Sequence, residues 1–443
     1  MADLKVIRLK DSGYPDVPAM LAQMDSWSPE EKFANQFWRM NNLYKIVDKE
    51  SKVVVFQMKP EQADLYVAHK KHPRHVICKS RQLGFSTLIQ LLFLDYAIFN
   101  SNENVFIIAQ DKDAASHIME TKIKFAYEHL PEEIKQERKV TRTNANEFMF
   151  NNNSKITVTV SARSATATRI HSSEMAKSYI KDPEKTHEFW TGTLPSLIPG
   201  GTCFIESTAE GAVGDFYEAY NNKAADMPQD PNTFQRHFYS WWHSPEFTSS
   251  EEPVGGIDSD SKKYFMELKE KYGIELRQDQ MNWYVAMSRI LGFKMKQEYP
   301  TVAAEAFEQT SESQVWGRPL AIMEANRRIK YTPYVMNHPA FVAFDIGHSD
   351  LAACWCAQYI EDEWRIFGYL EIRKGDIGWF LEKFSYRNWH FKYIVLPHDA
   401  NNSSFRDKDS SLASQIEGWG YNVIVLPKTE NKLQAKVNMM FLF

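Results

Sequence analysis

Residues 79–87, KSRQLGFST, nearly form a phosphate-binding loop, but phenylalanine stands where such a loop carries its lysine. The pattern G-x-x-x-x-G-K-[ST] lies between a strand and a helix, so that backbone N–H groups and the helix N-terminus meet phosphate oxygens. Aligning Gly84 with the second glycine and Ser86 with the Ser/Thr places Phe85 at the lysine and Lys79 at the first glycine. The chemistry needs a positive charge near the β- and γ-phosphates, not a fixed address for it. Lys79, at the mouth of the preceding strand, is the candidate cation, and Arg81 is the other cation of the loop. The expected cradle is Lys79, Ser80, Arg81, Gln82, Leu83, Gly84, Phe85, Ser86 and Thr87, with the Ser86 hydroxyl suited to Mg2+. The plain alternative is a strand-end lysine in water before an ordinary helix start.

The loop's neighbours weigh against that alternative. Nucleotide hydrolysis needs an acidic element on a later strand to orient water and hold magnesium. RIHSSEMAK offers Glu174 as general base, preceded by Ser173 where an aspartate is usual; Ser173 could still reach magnesium through water. In CFIESTAEG, Ser207 and Thr208 stand at a strand end, able to sense a γ-phosphate by hydrogen bonding. Gln62 in KPEQADLY carries an amide that can read the edge of adenine.

A second group of acids suits metal chemistry. A two-metal nuclease needs carboxylates from neighbouring strands converging on cations roughly 4 Å apart. AFDIGHSD puts Asp345 at a strand end with Asp350 just beyond, and IVLPHDA puts Asp399 at the end of another strand. Asp345 and Asp399 are the expected ligands of that site. Glu371 lies mid-strand, and His348 and His398 are expected as neighbours, since Mg2+ and Mn2+ prefer oxygen.

These residues need a scaffold, and the pattern of the chain supplies one. Residues 1–70 read as a helical, aromatic-rich preface. Strand-like runs (HVICKS, NVFIIAQ, TCFIEST) then alternate with long helical ones (STLIQLLFLDYAIFN, DKDAASHIMETKIKFAYEHL), which implies a parallel sheet covered on both faces. NEFMFNNNSKITVTVSA reads as a β-hairpin about an Asn-rich turn. Residues 215–330 turn polar, helical and tryptophan-rich, as a small appended subdomain would. From about residue 331, three strands joined by short connections precede alternating helices and strands, the element order of an RNase H-like fold. The fold class is therefore α/β: an ASCE-type P-loop sheet with a lid subdomain (1–214 and 215–330), then an RNase H-like domain (331–443). WWHSPEF and DQMNWYVAMSRILGFKMKQEYP are expected to pack the small subdomain, and the short basic runs KMKQ and KVTRTNAN to lie in solvent.

Composition bounds the rest. Of 443 residues, 43% are hydrophobic and 14% aromatic, enough for substantial cores. No run approaches the roughly 18 apolar residues of a membrane span, the four cysteines form no CxxC pair, and the N-terminus lacks a signal-peptide pattern. A soluble, cytosolic protein with reduced thiols is expected. The net charge of −5 argues against coating nucleic acid by bulk charge, though not against a local track for DNA.

Taken in order, KPEQADLY, KSRQLGFST, RIHSSEMAK, PSLIPGGTCFIESTAEG, FYSWWHSPEF and GFKMKQEYPTVAAEAF resemble the large terminase subunit of tailed bacteriophages over nearly the whole chain. The resemblance implies an ATP-driven motor that moves double-stranded DNA into a procapsid through the portal, and a Mg2+-dependent endonuclease, with Mn2+ able to substitute. It implies a ring on the portal, a monomer in solution, a small terminase subunit as partner, and a place in the host cytoplasm. Some terminases carry the loop lysine early, as Lys79 stands here. Against the γ-phosphate the resemblance favours Arg81 over Arg163 and Arg169, and it gives Ser207 and Thr208 a coupling role. Asp345 and Asp399 match the first two nuclease acids, and Asp350 a further one. A third main acid is expected on a helix after the last strand, where KLQAKVNMMFLF has none. Either the sequence is truncated or another carboxylate completes the site; if the end is real, weak or absent cutting with intact ATPase is expected. The alternatives are a repair helicase with a fused nuclease, for which no further helicase motifs are seen, and a portal-docking structural protein with a degenerate ATP fold, suggested by Phe85 and Ser173.

Overall fold

β-Branched and aromatic runs too short to be helices alternate with helix-forming runs from residue 74 onward, and the chain folds accordingly into layered α/β units. The computed structural model describes residues 4–162, 166–222, 230–308, 323–324, 326–345, 351–373, 377–401, 403–404 and 407–427. The chain divides into two units, Met1–Ser313 and Gln314–Phe443. Among the described residues no helix is long and apolar enough to cross a membrane, and all four cysteines are free and buried.

In the first unit a hairpin of β1 (Lys45–Val47) and β2 (Val53–Val55) precedes an eight-stranded sheet. Its strands are β3 (Arg74–Lys79), β4 (Asn104–Ile108), β5 (Val140–Thr143), β6 (Glu147–Phe150), β7 (Lys155–Thr159), β8 (Ala167–Ser173), β9 (Leu197–Ser207) and β10 (Gln235–Tyr239). They lie in the order β10-β3-β9-β8-β4-β7-β6-β5. From β10 to β7 every pairing is parallel; β6 and β5 close the edge antiparallel, β6 and β7 being the Asn-turned hairpin. One strand, β9, separates the loop-bearing β3 from the acid-bearing β8, as in ASCE-type P-loop ATPases.

The helix Phe85–Phe99 covers one face of this sheet and is buried along most of its length. Its Asp95 takes a two-pronged bond from Arg39 at 2.9 and 2.7 Å and another from the Tyr44 hydroxyl at 2.8 Å, which fixes the N-terminal helices to it. On the opposite face Val76, Cys78, Ile170, Cys203 and Ile205 pack with Met175, Phe189 and Phe216. β10 falls beyond residue 214, inside the stretch that the sequence assigns to the appended subdomain; QRHFY carries too little apolar alternation to announce a strand. The tryptophan-rich stretch packs as a core: Trp241 is fully buried against Trp283 and Tyr284, and Phe247 against Trp283 and Tyr299.

In the second unit β11 (Ala340–Asp345), β12 (Leu351–Ile360), β13 (Glu363–Arg373), β14 (Phe391–Leu396) and β17 (Val423–Val425) form a sheet of order β13-β12-β11-β14-β17. A small two-stranded piece, β15 (Ser403–Ser404) with β16 (Asp407–Ser411), precedes β17. The pairs β13-β12 and β12-β11 are antiparallel, and β11-β14 and β14-β17 parallel. A three-stranded meander followed by two parallel strands is RNase H-like topology. Phe380 and Phe384 of the helix Ile377–Tyr386 pack with Val342, Cys354, Cys356 and Ile394.

Candidate active site

Open α/β sheets bind ligands beyond the carboxyl ends of their strands, and the loop 79–87 leaves β3 at that end. Gly84 adopts φ +78° before the helix Phe85–Phe99, a backbone that only glycine takes cheaply. No side chain caps the helix, so its first N–H groups remain available to an anion. Phe85 points into the core and stacks on Tyr239, and Leu83 is also fully buried. Gln82 sits at φ +61°, exposed, and Thr87 is half-buried in the first helical turn. Ser80 is buried and bonded from its N–H to the Tyr239 carbonyl at 2.9 Å.

Lys79 is the cation at the centre. Its Nζ lies 3.0 Å from Glu174 Oε1 and 3.1 Å from Glu206 Oε2, with the side chain 6% exposed. Burial works against its charge, but Glu206 and Glu174 outweigh that and hold the ammonium's pKa above the ordinary value. Glu174 starts the helix Met175–Lys181 in a left-handed conformation, φ +55°, which turns its carboxylate back toward Lys79. Its Oε2 lies 3.3 Å from Lys177, which approaches Glu298 at 4.0 Å. Glu298 in turn holds Arg81: Nε to Oε2 at 2.6 Å, and the Arg81 N–H to the Glu298 carbonyl at 2.8 Å. Charges of alternating sign thus run from buried Glu206 through Lys79, Glu174, Lys177 and Glu298 to half-exposed Arg81.

Glu206 is the residue that sequence reasoning passed over. It is fully buried, and its Oε1 accepts bonds from Ser86 Oγ at 2.6 Å and Ser173 Oγ at 2.8 Å, with His171 Nε2 at 3.4 Å. Burial would raise its pKa, yet Lys79, with His171 and Ser86, holds the carboxyl well below the usual range. Register explains the meeting: Glu206 pairs with Ser173 on β8 and with Ile77 on β3, two residues before Lys79. Side chains alternate along strands, so Ser173, Glu206 and Lys79 share the face under the helix that carries Ser86. A signal was present: a lone glutamate in an apolar strand buried on both faces must be paired.

Other predicted residues are placed differently. Ser207 alternates to the opposite face, where its Oγ accepts the Ala176 N–H at 3.1 Å, a helix-start contact away from the loop. The next residue, Thr208, is buried with its hydroxyl unbonded among the described residues. Gln62 braces the loop rather than standing open to a base. Its Oε1 accepts the Lys59 N–H at 2.9 Å and its Nε2 donates to the Leu83 carbonyl at 3.1 Å, so a bidentate hold on adenine needs this arrangement to change. Arg169 is removed from the phosphate site: it lies near the start of β8, paired with Glu103 at 2.8 Å and over the Tyr96 ring. Arg163 lies outside the described residues.

The cradle fits a magnesium nucleotide in donor chemistry: the buried Glu206 carboxylate and the Ser86 and Ser173 hydroxyls are all hard oxygens. Among the described residues no three His, Cys, Asp or Glu side chains are grouped to hold a metal by themselves.

In the second unit, β11 and β14 are adjacent and parallel, the last shared pair being Ala343 and Val395. Asp345 ends β11 two residues later, exposed, and the turn His398–Asn401 that includes Asp399 follows β14 at the same end of the sheet. Asp345 pairs with Ala353, which pairs with Glu371, so Glu371 lies in the same row two strands away, accepting the Tyr369 hydroxyl at 2.5 Å. Asp350 and His348 lie outside the described residues.

No family model and no curated protein sequence matches the chain. Among solved structures, a large terminase from a thermophilic bacteriophage is similar at 10% identity, covering 86% of this chain and 85% of its own, with a TM-score of 0.36. The large terminase ATPase domain of a Thermus phage aligns at 17% identity over 55% of this chain and 93% of its own, TM-score 0.35. The Phi-28 gp11 DNA packaging motor aligns at 11% identity over 85% and 90%, TM-score 0.25. Likenesses this distant carry no functional weight of their own.

Proposed function

We propose that the chain is a DNA-packaging motor of the large-terminase kind, hydrolysing ATP at the loop 79–87 to move double-stranded DNA, with a metal-dependent nuclease in its second unit. The observation that carries the reading is the meeting of Lys79, Glu174, Glu206, Ser86 and Ser173 at the carboxyl edge of an ASCE-ordered sheet. The alternative of a degenerate, purely structural ATP fold is disfavoured by the same cluster. A buried cation held between two carboxylates beside an uncapped helix start is costly to keep without use.

In this reading Lys79 turns its ammonium to the β- and γ-phosphates while the first N–H groups of the helix Phe85–Phe99 take up phosphate oxygens. Glu174, freed from Lys79, accepts a proton from the attacking water. Arg81 leaves Glu298 for the γ-phosphate, and Thr208 senses it. Ser86 and Ser173 would help to hold a bound Mg2+, which would offset the charge of the phosphates. In the second unit Asp345 and Asp399, with Asp350, hold the nuclease metals. The portal, the small subunit, ring assembly and a cytoplasmic setting belong to the same proposal.

DNA-stimulated ATP hydrolysis by the full chain tests the motor. Lys79→Ala and Glu174→Ala are expected to abolish it, and a wild type that hydrolyses no ATP in the presence of DNA overturns the motor in favour of a structural role. For the nuclease, Mn2+-dependent plasmid cleavage is expected to disappear in Asp345→Ala; cleavage that persists removes Asp345 from the site.

A further inference from the structure

A divalent cation at a nucleotide site is ordinarily held by one or two carboxylates together with phosphates. On β8 the residue before Glu174 is Ser173, a neutral hydroxyl. The two hydroxyls expected near the metal, Ser86 and Ser173, both donate to a single carboxylate oxygen, Glu206 Oε1, at 2.6 and 2.8 Å. Among the described residues Glu206 Oε2 accepts no well-aligned hydrogen bond, and it faces Lys79 at 3.1 Å.

We propose that Glu206 supplies, from the neighbouring strand β9, the magnesium-binding carboxylate that Ser173 lacks. The inference rests on the nucleotide-binding reading above and deepens it by assigning the metal's protein ligand. Position and charge both favour it. Glu206 is fully buried, and a buried carboxylate needs a cation. When Lys79 turns to the phosphates, that cation leaves, and a divalent ion beside the two serines restores the balance. Glu174 suits a different role, since its side chain is 25% exposed, within reach of water, whereas that of Glu206 is fully buried. The two glutamates divide the work, Glu206 holding metal and Glu174 activating water.

The test reads binding, not turnover. Wild type and Glu206→Gln, as full chains, are titrated with mant-ATP in Mg2+ and again in EDTA, and Mn2+ capture, taken as the Mn2+ bound by chain and ATP together beyond that bound by each alone, is followed by electron paramagnetic resonance. Glu206→Gln is expected to keep its affinity in EDTA, to lose at least about tenfold of the gain that Mg2+ gives, and to lose this joint Mn2+ capture. Adding Ser173→Asp to Glu206→Gln is expected to restore Mn2+ capture, a rescue that a mere support for Lys79 would not allow. Equal weakening with and without Mg2+, with Mn2+ still captured, overturns the inference and leaves the nucleotide site standing. If Glu206→Gln does not fold, Glu206→Asp keeps the charge and withdraws it by one methylene; an unchanged Mg2+ gain there overturns the inference as well. A wild type that binds no mant-ATP in either buffer overturns the nucleotide reading itself.

Discussion

Phe85 stacks on Tyr239 with ring centroids 4.4 Å apart and planes inclined by 27°, both side chains buried. The position where a phosphate-binding loop carries lysine is thus a core position here, and in the proposed function the phosphate cation is Lys79 of the strand instead. Restoring the usual residue is expected to harm the protein. Phe85→Lys gives up a buried ring, a loss of about 3–5 kcal/mol, and does not rescue hydrolysis in Lys79→Ala. Urea unfolding and an ATPase assay on the single and double variants check this, and rescue by the new lysine would refute the role of Lys79.

Lys79 also has a structural duty. Removing one partner of a buried ion pair leaves the other charge uncompensated, which costs about 3–5 kcal/mol. Lys79→Met is therefore expected to lower stability by that order, whereas Lys79→Met combined with Glu206→Gln recovers much of it. Denaturant midpoints of the two single variants and the double variant measure the coupling.

Gly84 fixes the loop in two ways. Its φ of +78° disfavours any side chain, and a Cβ there would lie 2.7 Å from Gln62 Nε2. Gly84→Ala is expected to cost about 1–2 kcal/mol from the backbone alone and to weaken mant-ATP binding. Because the Gln62 side chain is in the way, Gln62→Ala removes part of the penalty, so the two changes are less than additive. Additive losses in calorimetry would show that the Gln62 contact is immaterial.

Buried histidines on β3 and β10 make stability depend on pH. His75 Nε2 donates to the His72 carbonyl at 2.7 Å, which leaves His75 Nδ1 to accept from His237 Nε2 at 2.9 Å. Burial pushes the His237 pKa down from 6.5 to about 4 and His75 well below its usual value, so both are neutral in the fold. The unfolded chain binds these protons first as pH falls, so stability is full above about pH 6.5 and is lost toward about pH 4. Each histidine contributes a slope of up to about 1.4 kcal/mol per pH unit in that window. Urea midpoints between these limits are expected to flatten in His237→Asn, and an unaltered slope would exclude the pair as the cause.

The sequence alone determined much of the order of the elements, though not β10, and the loop with Lys79 at the end of the strand before it, because period and turn chemistry are local properties of the chain. The strand-loop-helix around 79–87, Glu174 after β8 and the meander before β14 were all legible in this way. Only the tertiary structure decided which side chains share a face. It brought Glu206 against Ser173 and Ser86 through the pairing of β8 with β9, sent Ser207 to the opposite face, and placed Arg169 at the far end of its strand. It also set Gln62 against the loop and put Phe85 in the core. Register and packing join residues far apart in sequence, and no local pattern carries that information.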